Sequence, residues 1–286
     1  MLGCGPGATL RSTRSSLGTA TGFSGNSNDH YLTQEVTMTT EDIETVGPAH
    51  DPAAEVGGQA GLPAVNVQQA AGTSPQAIQS AVDAYRQDLG NSRQEINWDG
   101  VPDNRAAPNL LPADFFNTTV PRGVVFSTHG TGFQVSANAG VAPIEFDNIN
   151  PTYSRLFRTF SPQRLFTALG SNVMEVRFFV PGSSTPAATN GFGAVFTDVE
   201  RPGTRIEYLN EQGNRLARFD VPVSPGQETL SFLGVRFLDR RVARVRITSG
   251  NIALGPNERT DRDLVVMDDF IFGTPTPLGE LNPQPE

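Results

Sequence analysis

The chain has no lysine, and all 21 of its basic residues are arginine. It has one cysteine, Cys4, one tryptophan, Trp98, and no run of eighteen or so apolar residues. A single cysteine excludes an internal disulfide, so stability must come from a packed core and from ions or ion pairs. The lack of a long apolar run excludes a membrane-spanning helix. Positive charge is also short. The 21 basic residues stand against 30 acidic ones, and a net charge of -9 argues against sequence-independent binding to nucleic acid or to an anionic membrane surface. The missing lysine reads first as codon usage in a GC-rich genome, and second as a need for bidentate guanidinium contacts.

Core formers are thin for the length: 37% hydrophobic and 8% aromatic, with 29 Gly and 22 Pro. Part of the chain is therefore expected to stay outside the core. Residues 1–73, rich in Gly, Ser, Thr, Ala and acids, show no sustained period and read as a disordered leader or linker. His30 and His50 fall within it without the neighbours a metal site needs. The opening MLGC is similar to a lipoprotein cleavage box, in which Cys4 would take the lipid if translation began upstream. Residues 274–286 are Pro-rich and read as a flexible tail.

Between these ends, residues 74–273 read as one domain. The pattern at 74–89 predicts a helix. Ser74 suits the cap and Pro75 the first turn, Ala77, Ile78, Ala81, Val82, Tyr85 and Leu89 make one apolar stripe, and Gly90 ends it. From residue 123 onward, short alternating runs are broken by Gly, Pro and Asn. Strands are predicted over 123–128, 132–137, 144–147, 172–180, 191–199, 204–210, 215–221, 230–238, 242–249 and 264–272, with 204–221 forming a hairpin. About ten short strands and one helix indicate an all-β fold: an antiparallel two-sheet sandwich, most simply a jelly roll, with the helix packed on it.

The run LVVMDDFIFG at 264–273 holds the sharpest chemical question. Strict alternation places Val266, Asp268, Phe270 and Phe272 on one face and Val265, Met267, Asp269 and Ile271 on the other. With the Phe face inward, Asp268 is a buried carboxylate, which requires a cation or hydrogen-bond donors. A calcium ion or an arginine such as Arg177 or Arg236 would serve, while Asp269 would be solvated or cap a loop. Asp198, after the apolar GAVFT, reads as a second metal ligand or as a strand end. Asp99, Asp103 and Asn104 crowd one loop, which could wrap calcium or cap its own turn. Exposed Trp or Tyr rings stack on sugars, so Trp98 and Tyr208 are the candidate ligand platforms; the alternative for both is the core.

The runs GFGAVFTDVE, EYLNEQGNRLARFDV, LSFLGVRF, ARVRITSG and VVMDDFIFG occur in that order across roughly 120–273. Together they resemble a domain of exported bacterial proteins, often of unknown function, similar to the galactose-binding-like jelly rolls of carbohydrate-binding modules. The resemblance implies an extracellular or periplasmic location. It also implies a structural calcium near the first acid of the terminal strand, which Asp268 matches. No Ser elbow, zinc helix, phosphate loop or dinucleotide fingerprint occurs, and His129 in STHGTG stands without evident partners. The expectation is a non-catalytic binding module for glycan. The alternatives are an adhesive module that binds protein, and a carbohydrate-active enzyme with two carboxylates across a cleft.

Overall fold

A computed structural model of the protein describes residues 64–238, 241–256 and 262–278. Cys4, His30, His50 and residues 1–63 of the expected leader lie outside the described residues, as do 279–286 of the expected tail. In chain order the regular elements are β1 (Val65–Gly72), α1 (Pro75–Leu89), β2 (Arg93–Ile96), β3 (Val124–Thr128), β4 (Gly132–Val135), β5 (Phe166–Leu169), β6 (Val173–Phe178), β7 (Ala187–Ala188), β8 (Gly191–Thr197), β9 (Arg205–Leu209), β10 (Arg215–Asp220), β11 (Leu230–Phe237), β12 (Arg244–Thr248), β13 (Val266–Gly273) and β14 (Thr276–Pro277). The architecture is mostly β, with antiparallel sheets in a sandwich-like arrangement.

A seven-stranded sheet runs β1-β11-β8-β13-β5-β4, with β2 added beside β13, and a five-stranded sheet runs β10-β9-β12-β6-β3. Their facing sides share one core, in which Phe192, Phe196, Leu233 and Val235 meet Met174, Val176, Val245 and Ile247. The outer side of the seven-stranded sheet is covered as well. The stripe of α1 packs on Val195, Leu230, Phe232 and Ile271. Farther along, Phe146, Tyr153, Phe157 and Leu165 cover Leu264 and Val266. With both faces dry, β8 and β13 are buried at every position, which is why their sequences read as near-continuous apolar runs rather than clean alternations.

The helix forms as its sequence dictates. Ser74 Oγ accepts from the Ala77 N–H (3.3 Å), and the six stripe residues are all buried. Three glycines let it sit close. A Cβ on Gly234 would lie 2.6 Å from Tyr85 Cγ, and one on Gly193 would lie 2.8 Å from Tyr85 Cε1. A Cβ on Gly191 would come within 2.9 Å of the Tyr85 hydroxyl. The Tyr85 ring thus lies on bare backbone, and its hydroxyl donates to the Val235 carbonyl (3.2 Å).

Two local expectations are corrected. The expected leader ended at residue 73, but Val65–Gly72 is an edge strand paired with β11 along its whole length. Its VNVQQAAG lacks a clean period and is mostly half-buried, with Gln68 donating to Asp88 of α1 (3.0 Å). Residues 144–147, expected as a strand, instead make a 3-10 turn at Ile144–Phe146, with Glu145 at φ 44 and Phe146 at φ 71. The turn drives Phe146 into the third apolar cluster. Within the expected tail, Thr276–Pro277 pairs with Ala187–Ala188.

Candidate functional site

The two aspartates of β13 sit in a bulge. Met267 pairs with Phe196 and Phe270 with Ala194, so Asp268 and Asp269 together stand against Val195. The extra residue breaks the alternation: Met267 and Phe270 both enter the inter-sheet core, whereas Ile271 faces the helix. The expectation that Asp268 shares a face with Phe270 and Phe272 is corrected accordingly. Both carboxylates emerge on the helix side, and both are buried, at 0% and 4% exposure. Asp269 is therefore not the solvated residue that alternation suggested.

Asp268 is met by donors. The Phe160 and Ser161 N–H groups donate to Oδ2 at 2.6 and 3.2 Å, and Ser161 Oγ lies 3.2 Å from Oδ1. The same hydroxyl donates to Asp269 Oδ1 at 2.7 Å. Burial, and then the charge of Asp269, push the Asp268 carboxyl well above the usual range. Burial also raises Asp269, against the Ser161 hydroxyl and the Arg86 charge. The arrangement favours one proton held between the two carboxyls, as when like charges crowd one site.

The cation nearest the pair is Arg86 of α1, with Nη2 3.6 Å from Asp269 Oδ2 and 2.9 Å from Glu95 Oε2 on β2. Neither arginine named from sequence bonds to Asp268. Arg177 stands on the other sheet beside Glu175 (3.6 Å), and Arg236 of β11 lies opposite Gly191 of β8. Arg86 was missed because it flanks the apolar stripe and nothing local links it to a strand 180 residues on.

A calcium ion at Asp268 would have to displace these donors, since hard cations take six to eight oxygens. Among the described residues no group of three His, Cys, Asp or Glu side chains is arranged to hold a metal. Asp268 Oδ2 is met by two backbone N–H groups, from Phe160 and Ser161.

The 98–104 loop divides its duties. Trp98 is 1% exposed, stacks on Phe166 (4.0 Å between centroids, 5° between planes) and donates its indole N–H to the Asp268 carbonyl (3.0 Å). Tyr208 is fully buried and donates to the Phe192 carbonyl (2.9 Å). The platform reading of both rings is corrected: large aromatic area is worth more inside a core with its polar tip satisfied. Asp103 accepts from the buried Arg164 at 2.6 Å, and Asn104 is exposed, so the loop does not gather its oxygens around one point. Burial and the charge of Asp269 push Asp99 up to about 6, and its Oδ1 has no hydrogen-bond partner. Asp198 ends β8 with φ 70, a left-handed conformation that Asp tolerates, and its N–H donates to the Thr229 carbonyl (3.0 Å). It is a strand-end residue outside the bulge cluster.

A groove of about 380 Å³ opens where the β9–β10 turn, β6 and β14 meet. Arg177, Arg244, Asn210 and Glu211 supply its polar groups, and Phe179 and Leu278 its apolar wall. Phe179 is half-buried and lies outside the core clusters. No family model, curated protein or solved structure matches the chain in comparison with known proteins.

Proposed function

We propose that the chain is a non-catalytic, exported binding module of galactose-binding-like, jelly-roll type, whose groove takes a glycan. The groove carries this reading. Its volume suits a small ligand segment, and it sets a half-buried phenyl ring beside a guanidinium, an amide and a carboxylate, the mixture of planar polar groups and apolar wall that sugar hydroxyls and ring faces require. The buried carboxylate pair contributes none of the groove's lining. Its role in this reading is structural, tying α1, β2, β13 and the 160–161 loop together.

The test is retention of the full chain on immobilised cellulose, dextran and polygalacturonate. Retention on at least one is expected, and Phe179→Ala should abolish it with little change in Tm. No retention on any, or retention indifferent to Phe179→Ala, refutes the groove as a glycan site.

A further inference from the structure

The outer face of the five-stranded sheet carries a ladder of arginines. In β6 and β12 the alternation sends Met174, Val176, Val245 and Ile247 inward, leaving Glu175, Arg177, Arg244 and Arg246 outward. On β9, Ile206 and Tyr208 point inward, and Arg205 and Glu207 outward. Register then places Arg215, Arg218 and Asp220 of β10 on the same outer face. Six arginines thus stand against three acids, an excess of three positive charges on a chain whose net charge is -9.

The acids fix the arginines rather than cancel them. Glu175 accepts from Arg246 (2.8 Å) and Arg244 (3.2 Å), and Glu207 from Arg215 (3.3 Å). Desolvation opposes ionisation of Glu175, but the Arg246 and Arg244 contacts outweigh it and hold the carboxyl below its usual range. The register thus sets Arg177 directly opposite Arg244 and places Glu207 between Arg246 and Arg218, so acids and arginines interleave across the face. Guanidinium forks match carboxylate and sulfate oxygens.

We infer that this face binds an acidic polysaccharide, a chain with a carboxylate or sulfate on its sugars, running from the groove across the strands. The inference rests on the glycan reading of the groove, with which the face shares Arg177 and Arg244. Charge complementarity selects a polyanion. The face also lacks exposed large apolar side chains, which an interface with a folded protein would bury as anchors.

The experiment titrates the full chain with polygalacturonate, neutral dextran and poly-glutamate in EDTA at two salt concentrations. The readout is repeated for Arg218→Gln/Arg246→Gln, two sites outside the groove lining. Polygalacturonate should bind best, weaken several-fold as salt rises, and lose about tenfold in affinity in the double variant, whose Tm should stay near that of the parent because exposed ion pairs contribute little. Equal binding of dextran, unchanged by the variant, overturns the inference while leaving the groove reading intact. Preference for poly-glutamate overturns it in favour of an acidic protein. No binding to polygalacturonate overturns the inference, and the groove reading is then decided by retention on cellulose or dextran. If the double variant melts early, Arg218→Gln alone replaces it, with a loss of about threefold expected and no loss counting against the ladder.

Discussion

Replacing Asp268 in two ways separates a protonated, donor-satisfied carboxyl from a charged one. In Asp268→Ala the N–H groups of the half-buried Phe160 and Ser161 lose their buried acceptor. Each unsatisfied buried donor costs about 1–3 kcal/mol, so the total is roughly 2–6 kcal/mol. For a domain of roughly 150–250 residues each kcal/mol moves Tm by about 2–4 °C, which places the expected fall near 10 °C. Asp268→Asn keeps an acceptor for both N–H groups and can donate toward Asp269 as the protonated acid does, so its loss should stay below about 1.5 kcal/mol. The pH dependence adds a second readout. A carboxyl raised in the folded state binds its proton more tightly there than in the unfolded chain. Its stabilisation is therefore fully present below the ordinary value near 4 and is lost as pH rises through the raised value. Wild-type stability should fall with rising pH where Asp268→Asn falls less steeply. The assay is urea denaturation from pH 4.5 to 8, with thermal melts in calcium and in EDTA. If Asp268→Asn is as damaging as Asp268→Ala, or if calcium raises the wild-type Tm by several degrees and the effect vanishes in Asp268→Asn, the carboxylate is a charged ligand and the reasoning fails.

Three further outcomes are expected. Gly234→Ala should destabilise by about 1–3 kcal/mol, because the new Cβ meets the ring of Tyr85; combining it with Tyr85→Leu should recover part of the loss, and a purely additive double mutant in denaturant titrations would refute the packing account. Glu145 is pushed up from 4.5 to about 7 by burial and by the charge of Glu228, against Arg158, so its contribution to stability should decline as pH rises from about 4.5 to about 7, and Glu145→Gln should flatten that decline in urea midpoints. Ser74→Ala should cost about 1 kcal/mol through the lost helix cap, and Ser74→Asp should restore it, as read by melting.

The legible parts of the sequence were those in which neighbours in the chain are neighbours in space. The helix, its cap and its stripe rest on contacts three and four residues apart, and the 204–221 hairpin rests on one turn, so local pattern was enough for both. It was enough, too, for the mostly β class and for most strands from Gly123 onward. The single cysteine excluded an internal disulfide, and among the described residues no helix is long and apolar enough to cross a membrane. Tertiary structure decided everything that depended on distant partners. The edge strand Val65–Gly72 is a strand because β11 offers it a free edge, not because of its own period. The bulge at Asp268–Asp269 is set by register against Val195, and one extra residue there reversed the predicted face. The donors to Asp268 come from residues 107 and 108 positions earlier, and the cation beside Asp269 comes from the helix. Burial of Trp98 and Tyr208 likewise follows from which surfaces the two sheets close over. A sequence gives each strand's two faces; only packing says which face is dry, where the alternation slips, and which charges meet.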